Sequence, residues 1–451
     1  MNRTTFAPIL FYVIIAAGCQ SAEKKQVNDA DSAAAKMPTQ DVTTGAAQAV
    51  ELPPPFQTKS VKNFSHVIGW PEGKTPQAPA GFTVNKFAGG LDNPRQVYIL
   101  PNGDVLAALS NTEGKGPLAA VKNVLSGKNK SVNSSASANA ILIFRYVQNG
   151  VPTQIDTFLT QLNQPFGMLV LGNYFYVANT DAVWRYPYQT GQTKITGIGQ
   201  KILSIPPAGY NNHWVRNLIA SADGSKIYVT VGSGTNAGEK GIAYEDHRAN
   251  IIEINPDGSG ERIYASGLRN PIGMGWAPGT NTLFASVNER DELGDNLVPD
   301  YLTSVKDGGF YGWPYSYYGQ HVDPRIPAKD QRPDLVQKAI VPDVPLGAHT
   351  ASIGLAFYTK TAFPSQYQGG AFIGQHGSWN RSQLAGYKVL FVPFKGGRPS
   401  GTPQDFLIGF MADEAKNEVY GRPVGIAVMN DGSILVADDA GGTIWRVSAS
   451  K

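Results

Sequence analysis

A short sequence pattern recurs along this chain, and the recurrence limits the possible folds more than any other feature. Each copy has a polar or proline turn, a run of alternating apolar residues, a tight turn such as Asp-Gly or Asn-Gly, and a second β-rich run. Alternation is typical of half-buried strands, and glycine supplies the positive φ that a tight hairpin turn needs. Each copy therefore predicts two antiparallel strands. The copies begin at Asn93, Gln164, Arg216, Arg269 and Arg422, with a weaker copy over residues 352–374.

The number of copies predicts one large all-β domain. The 451-residue chain holds 50 glycines and 31 prolines, and no long segment has the 3.6-residue periodicity of an amphipathic helix. A ring of small sheets leaves only short, protected edge strands, which is how a long all-β chain avoids open edges. Six copies predict a six-bladed β-propeller with four-stranded antiparallel blades over residues 56–451.

The first residues predict export. A short basic stretch with Arg3 precedes an apolar run from Phe6 to Ile15 and small residues that lead to Cys19, the only cysteine. The run is shorter than the roughly 20 apolar residues that span a bilayer. Residues 1–18 therefore predict a lipoprotein signal peptide and Cys19 the lipid attachment site, with an ordinary secretory peptide as the alternative. Gln20 follows instead of Asp, which favours the outer membrane.

Residues 19–55 predict a lipidated, disordered tether. They are rich in Ala, Gln, Asp, Thr and Lys and contain almost no large apolar residue before Phe56. Such a segment cannot bury enough apolar surface to fold. We expect the propeller to be anchored to a bacterial membrane, in the periplasm or at the cell surface.

Positive residues occupy one phase of the repeat. The formal net charge of +3 is too small for a nucleic-acid partner, so the position of the cations matters more than their number. At the start of the inner strands they would converge on the mouth of the central channel, where guanidinium groups suit carboxylates or phosphates. We predict a multiply charged anionic ligand there; the alternative is pairing with blade acids such as Asp223 or Asp439. The phase is occupied by Arg95, Gln164, Arg216, Arg269 and Arg422.

Three further polar clusters lie close to that phase. His213 precedes the Arg216 copy and could act as a general base, although an isolated histidine is often structural. The loop 288–296 holds four acids, including Asp291 and Glu292, which suit Ca²⁺ unless the loop is simply solvated. Residues 376–381 add polar donors at a blade edge.

Two insertions interrupt the repeat. The stretch from about Asn111 to Asn139 is rich in Gly, Ser and Lys and predicts a mobile loop. The stretch from about Phe310 to His349 is aromatic and rich in proline, and we expect it to pack over the propeller as part of a binding surface.

These residues carry a family resemblance. His213 with Arg216, the segment 267–274, the loop at Asn288 with the segment 309–314, and residues 376–381 resemble the quinoprotein glucose/sorbosone dehydrogenase family, and more closely its sorbosone-dehydrogenase-like branch. The similarity covers nearly the whole chain after Phe82, in the family's order and roughly its spacing.

The resemblance implies a propeller that binds pyrroloquinoline quinone (PQQ) and Ca²⁺ at the channel mouth. It implies that His213 takes the proton of a sugar C1 hydroxyl and that Arg269 stabilises negative charge on the quinone oxygen. It implies a lactone product, and an electron acceptor such as a periplasmic cytochrome or a quinone. The implied metal residues are Asp291 and Glu292. Those implied to hold the cofactor are Gln164, Arg216, Asn270, Asn380, Arg381 and Arg422.

The sequence departs from the soluble glucose dehydrogenases of the family at two places. Arg290-Asp291-Glu292 replaces a Gly-Pro pair in the metal loop, and Asn212 replaces an Asp before the catalytic His. Two other functions stay open: a Ca²⁺-dependent propeller lactonase or hydrolase, and a propeller that binds a sugar or a partner without catalysis.

Overall fold

The computed structural model describes residues 50–113, 124, 127–131, 136–206 and 211–450. The signal peptide 1–18, Cys19 and most of the tether 19–55 lie outside the described residues. Val50 and Leu52, at the end of the predicted tether, already pack against a buried cluster of the domain. The start of the domain at Phe56 stays a prediction.

Antiparallel sheets make up almost the whole described chain. Sheet 1 contains β3 (Pro94–Ile99), β4 (Val105–Leu109), β5 (Ala140–Arg145) and β6 (Gln154–Leu159). Sheet 2 contains β7 (Met168–Leu171), β8 (Tyr174–Ala178), β9 (Ala182–Pro187) and β10 (Gln200–Ser204). Sheet 3 contains β11 (Leu218–Ala220), β12 (Ile227–Val231), β13 (Asn250–Ile254) and β14 (Arg262–Ser266), and β18 (Gly309–Phe310) adds a fifth, parallel strand.

The second half of the chain forms three more such sheets. Sheet 4 contains β15 (Pro271–Trp276), β16 (Leu283–Val287), β17 (Pro299–Ser304) and β21 (Val344–Ala348). Sheet 5 contains β22 (Ser352–Phe357), β23 (Ala371–Gln375), β24 (Lys388–Val392) and β27 (Gln404–Leu407). Sheet 6 contains β30 (Pro423–Val428), β31 (Ile434–Asp438) and β32 (Thr443–Ala449), and its outer strand is β2 (Phe82–Gly89) from the other end of the domain.

The remaining elements are short. β1 (His66–Val67), β28 (Met411–Asp413) and β29 (Glu418–Val419) form one small sheet, and two pairs are β19 (Ser316–Tyr317) with β20 (His321–Val322) and β25 (Phe394–Lys395) with β26 (Arg398–Pro399). One turn of α-helix, α1, covers Pro333–Val336, and 3-10 turns cover Lys128–Ser131, Ile242–Glu245, Ala328–Asp330 and Ser365–Tyr367. Within the described ranges, no helix has the length and apolarity needed to cross a membrane.

The first strands of the six sheets follow one another in space. β3 lies against β30, β30 against β22, β22 against β15, β15 against β11, and β11 against β7. The hydroxyl of Tyr98 in β3 accepts a hydrogen bond from the backbone of Val170 in β7 at 3.0 Å. The all-β prediction with four-stranded antiparallel sheets is confirmed, and this succession is consistent with a β-propeller.

An apolar cluster joins the sheets where their first strands meet. Its buried members are Phe166, Trp214, Val215, Ile272, Ile353 and Val424, which come from the first strands of five sheets or from the turns just before them. The cluster is an apolar layer next to the turns that carry the predicted site.

Glycine is required where first strands come closest. A Cβ on Gly354 would collide with the carbonyl oxygen of Val424, and one on Gly425 would lie 2.7 Å from the carbonyl oxygen of Arg95. Both obstacles are backbone atoms of a neighbouring strand, so they cannot rotate away.

We predict that Gly354→Ala lowers the free energy of unfolding by about 1–3 kcal/mol, because the added methyl group forces two first strands apart. Denaturant unfolding measures the change. The matched control is Gly89→Ala, whose Cβ would meet only the flexible Lys86 side chain, with the nearest atom at 3.1 Å. Equal stability of the two variants would show that the close approach is not a constraint.

Candidate cofactor-binding and catalytic site

Strand register brings the predicted residues to one edge of the sheets. Pro271 at the start of β15 pairs with Val287 at the end of β16, and Pro423 of β30 pairs with Asp438 of β31. The turn before each first strand therefore lies beside the turn after the second strand. The backbone of Asn288 donates to the carbonyl oxygen of Asn270 at 3.0 Å across such a pair of turns.

His213 is held so that one ring nitrogen is free. Its Nδ1 lies 2.7 Å from the carbonyl oxygen of Ser233 and 3.0 Å from the Ser233 hydroxyl. A carbonyl oxygen only accepts hydrogen bonds, so Nδ1 carries the hydrogen and Nε2 of the neutral ring keeps its lone pair. Burial, and next the charge of Arg269, hold the pKa of His213 well below its ordinary value of 6.5. The imidazole is therefore neutral at neutral pH and can accept a proton at Nε2.

Arg269 is fixed beside His213 by four residues, none of which is a neighbour of Arg269 in the sequence. Its Nε donates to the carbonyl oxygen of Asn236 at 3.0 Å and its Nη2 to the Asn236 side chain at 2.8 Å. Nη1 donates to the carbonyl oxygens of Asn288 and Glu289, and Nη2 also lies 3.2 Å from the carboxylate of Asp291. The guanidinium is thus a rigid, buried positive charge.

Asp291 joins Arg269 to His349. His349 Nδ1 lies 3.3 Å from the Asp291 carboxylate, and His349 Nε2 lies 2.8 Å from the carbonyl oxygen of Gly294. Burial alone would raise the pKa of Asp291, but the hydrogen bond from His349 and the charge of Arg269 bring it below its ordinary value. The carboxylate is therefore ionised and already engaged by two partners.

Arg216 is a buried cation that forms no salt bridge within the described residues, although the carboxylate of Asp181 is near enough to interact with its charge. Its relative exposure is 0%, and its Nη1 donates to the carbonyl oxygens of His213 at 2.6 Å and Val215 at 3.0 Å. Its Nε and Nη2 have no hydrogen-bond partner within the described part of the chain. Burial, and next the repulsion from Arg248, lower the pKa of Arg216 to about 9. Two unpaired charged donors are a strong reason for an anion to bind.

Asn270 offers a second open group. Its buried side-chain oxygen has no hydrogen-bond partner among the described residues. A side chain on Gly232 would collide with both Asn270 and His213, so the glycine allows these two side chains to approach the same point.

Internal contacts engage Arg95 and Arg422, although the Nε of Arg95 has no hydrogen-bond partner among the described residues. Arg95 Nη1 pairs with the Asp439 carboxylate at 2.5 Å, and His376 Nε2 donates to the same carboxylate at 2.8 Å. Arg422 donates to the carbonyl oxygens of His376, Gly377 and Ser131 at 2.9–3.1 Å. Pairing with blade acids, the alternative considered for these arginines, therefore applies to Arg95 with Asp439, while Asp223 is bonded only to Ser221 and Ser225 near it in sequence.

Three predicted cofactor residues have side chains engaged by other parts of the protein. The Gln164 amide donates to the carbonyl oxygen of Asn111 at 2.8 Å. Asn380 accepts from the backbone of Glu292 at 2.7 Å and donates to the carbonyl oxygen of Val61 at 2.8 Å. Arg381 donates to the carbonyl oxygen of Asp295 at 2.9 Å. The last two connect loops.

Asp291 and Glu292 do not converge as a metal site. The Asp291 carboxylate contacts Arg269 and His349, while Glu292 is exposed. Among the described residues there is no group of three or more His, Cys, Asp or Glu side chains that could hold a metal ion.

Sequence reasoning missed Ser233, Asn236 and His349. Ser233 lies two residues after the second strand of sheet 3, and His376 and Asp439 lie one residue after the second strands of their sheets. Comparing the ends of the second strands, as well as the starts of the first strands, would have found Ser233. His349 lies at the end of the aromatic insertion and had no signal of its own.

The fold and the site together define an all-β protein with a cluster of polar and cationic side chains at one common edge of its sheets. Residues 174–384 match the model of the Glucose / Sorbosone dehydrogenase family, and residues 323–450 match the TrAA12-like model. The predicted resemblance to the glucose/sorbosone dehydrogenase family is confirmed over residues 174–384, while the sorbosone-dehydrogenase-like branch stays a prediction. An uncharacterized protein of Borreliella burgdorferi is 29% identical over 311 residues, which are 66% of this chain and 79% of that protein.

Solved structures share the fold at low identity. The holo PQQ domain of pyranose dehydrogenase from Coprinopsis cinerea has a TM-score of 0.64 at 19% identity, with 85% of this chain and 100% of that chain covered. The calcium structure of a Trichoderma reesei family AA12 protein has a TM-score of 0.68 at 17% identity, with 86% and 99% covered. The PQQ-bound aldose sugar dehydrogenase from Streptomyces coelicolor has a TM-score of 0.54 at 17% identity, with 82% and 99% covered.

We predict that acid destabilises the protein through His376. Burial, and next the charge of Arg422, lower the pKa of His376 to about 4 from 6.5. Between these values the unfolded state binds a proton that the folded state does not, so the free energy of unfolding falls as the pH drops from about 6.5 to 4. The loss is on the order of 3 kcal/mol.

Denaturant unfolding at a series of pH values, on the wild type and on His376→Gln, measures how much of the pH dependence of the free energy of unfolding is due to His376. The variant should have a shallower pH dependence in that window, whereas the exposed-site control His66→Gln should keep the wild-type dependence. A wild-type slope in His376→Gln would remove His376 as the cause.

Proposed function

We propose that this protein is a PQQ-dependent dehydrogenase, on a six-bladed propeller, that oxidises an aldose or a related sugar at C1 to a lactone. The observation that carries the proposal is the proximity of a neutral base, His213, to a buried guanidinium, Arg216, with two unpaired donors. The family match over residues 174–384 supports the same reaction class. Two structural neighbours are PQQ-bound sugar dehydrogenases by name.

Arg216 and Asn270 fit an anionic quinone. PQQ carries three carboxylates, and the Nε and Nη2 atoms of a guanidinium match the two oxygens of a carboxylate. Arg216 would hold one carboxylate, and the Asn270 amide would hold a second polar group of the cofactor. When bound, the quinone accepts the hydride released from C1, a reaction that the side chains of the protein do not provide.

His213 removes the proton of the C1 hydroxyl. Its Nδ1 stays bonded to Ser233, so the proton is taken up by Nε2. Arg269 keeps His213 neutral before the reaction and presents a fixed positive charge where negative charge develops. The hydrogen bonds of Arg269 to backbone carbonyl oxygens keep that charge in place without reorganisation.

The Ca²⁺ of the resemblance does not fit the side chains at positions 291 and 292. Asp291 is ionised but paired with Arg269 and His349, and no third carboxylate or histidine joins it among the described residues. The proposed mechanism therefore assigns no step to the metal.

The location of the reaction is part of the proposal. We propose that residues 1–18 direct export, that Cys19 is lipidated, and that the chain up to Phe56 tethers the domain to a bacterial membrane, with the outer membrane favoured. A flexible chain of this length spans on the order of 30 Å. The electron acceptor would then be a periplasmic cytochrome or a quinone within that distance.

We predict that His213→Ala lowers turnover by about 10²- to 10⁴-fold while PQQ binding changes less than about threefold, because the base acts on the sugar and not on the cofactor. Turnover is measured with PQQ, aldoses and an artificial electron acceptor, and PQQ binding by titration of the quinone absorbance. His321→Ala, at an exposed histidine, should behave as wild type. Parallel loss of binding and turnover would contradict the role of His213 as the base.

We predict that Arg216→Met weakens PQQ binding by about 10- to 100-fold, because a charge-assisted pair of hydrogen bonds is lost. The matched control is Arg332→Met, which removes an exposed arginine paired with Asp334. Without PQQ, Arg216→Met should unfold at the same or a higher denaturant concentration than the wild type, because it removes a buried charge with two donors that have no partner among the described residues. Unchanged PQQ affinity would mean that Arg216 does not hold the cofactor.

A further inference from the structure

The start of the aromatic insertion runs beside the segment that leads to Arg269. The strand β18 pairs in parallel with the end of β14, and the backbone of Trp313 donates to the carbonyl oxygen of Gly267 at 3.0 Å. A Cβ on Gly267 would lie 2.7 Å from the Phe310 ring, so a side chain there would push the two segments apart. The insertion therefore packs directly against the turn that carries Arg269.

Trp313 also contacts a residue that fixes Arg269. Its indole nitrogen donates to the carbonyl oxygen of Asn236 at 3.1 Å, and Arg269 Nε donates to the same oxygen at 3.0 Å. Trp313 is 3% exposed, so the surrounding protein holds its ring. The insertion thus supplies one of two hydrogen bonds to the carbonyl group that orients the guanidinium.

The Asn236 side chain joins Arg269 to the backbone of Asp291. Its oxygen accepts from Arg269 Nη2 at 2.8 Å and from the backbone nitrogen of Asp291 at 2.9 Å. Its nitrogen donates to the Asp291 carbonyl oxygen at 3.1 Å, and the Asp291 carboxylate itself lies 3.2 Å from Arg269 Nη2. A shift of Asp291 would therefore move acceptors of the guanidinium.

Arg325, further along the insertion, holds Asp291. Its Nη1 donates to the Asp291 carbonyl oxygen at 2.7 Å, and its Nε and Nη2 donate to the Asp323 carboxylate at 3.0 and 2.8 Å. Asp323 is fully buried and also pairs with Arg290 at 3.1 Å, which ties it to the loop that contains Asp291. One end of the Arg325 guanidinium is therefore fixed, while the other end bonds to the loop beside Arg269.

We propose that Trp313 and Arg325 are positioning residues that fix the guanidinium of Arg269. Each acts through another residue, Trp313 through Asn236 and Arg325 through Asp291. The inference rests on the proposed function for the role of Arg269 in the reaction. The aromatic insertion then serves as a support for Arg269.

A displaced Arg269 would change the pH dependence of the reaction. The charged groups that act on His213 are Arg269, Asp291 and Arg216. Burial, and next the charge of Arg269, lower the pKa of His213, so this pKa rises when the guanidinium moves away. Because the base must be neutral to accept a proton, the acid limb of kcat/KM would then move to higher pH.

The first test measures sugar oxidation by the full chain with PQQ. Trp313→Phe and Arg325→Met should each lower kcat by about threefold to tenfold, the effect of one lost hydrogen bond, and move the acid limb of kcat/KM to higher pH. Arg325→Lys can still donate to the Asp291 carbonyl oxygen and should recover most of the lost kcat. Arg332→Met, at an exposed arginine of the same insertion that pairs with Asp334, is the matched control and should behave as wild type.

The second test needs neither PQQ nor turnover. Hydrogen exchange of the Arg269 Nε–H group, followed by NMR in the full chain labelled with 15N-arginine, measures its hydrogen bond to the Asn236 carbonyl oxygen. The signal is assigned by its absence in Arg269→Lys. Exchange should be faster by about threefold or more in Trp313→Phe and Arg325→Met than in the wild type and in Arg332→Met.

The two tests separate the inference from the proposed function. Faster exchange in both variants of a protein that oxidises no sugar supports the positioning role and overturns the dehydrogenase. Wild-type exchange and a wild-type acid limb in both variants overturn the positioning role, and sugar oxidation by the same proteins leaves the dehydrogenase standing. Because the two variants remove different contacts, misfolding of one still leaves the other as a test.

Discussion

The close approach of neighbouring first strands is the constraint on which the rest of the structure depends. At Gly354 and Gly425 the backbone of the next strand occupies the space where a side chain would project. Where the strands are this close, apolar side chains such as Ile353 and Val424 pack against one another. The polar turns lie at one edge of the sheets, next to this apolar cluster. Charges on these turns interact strongly because they are buried.

That confinement explains why the cations at this edge differ so much in their surroundings. Arg95 pairs with Asp439, and Arg422 donates to the carbonyl oxygens of His376, Gly377 and Ser131, while the Nε of Arg95 has no partner among the described residues. Arg216 has two such donors, Nε and Nη2, in the described part of the chain. A buried guanidinium left in this state costs free energy, and such local conflicts are characteristic of functional sites.

The repeat predicted the strands and one side of the site, but not the partners of the site residues. Alternation and tight turns are local properties, so the positions of Arg95, Arg216 and Arg269 at one edge could be read from the sequence. Which arginine is paired is a long-range property: Asp439 is 344 residues from Arg95. The anchoring of His213 by Ser233 depends on a turn 20 residues away, and no local pattern marks it.

The side chains with and without hydrogen-bond partners indicate where the cofactor and the substrate bind. On the side of sheets 5 and 6, binding an anion to Arg95 or Arg422 would have to break existing hydrogen bonds. On the side of sheets 3 and 4, the Arg216 guanidinium and the Asn270 side-chain oxygen have polar atoms without a hydrogen-bond partner among the described residues. His213, bonded through Nδ1 to Ser233, lies on that same side. A cofactor bound at sheets 3 and 4 would lie beside the sugar. The paired side chains at sheets 5 and 6 would support it from the other side.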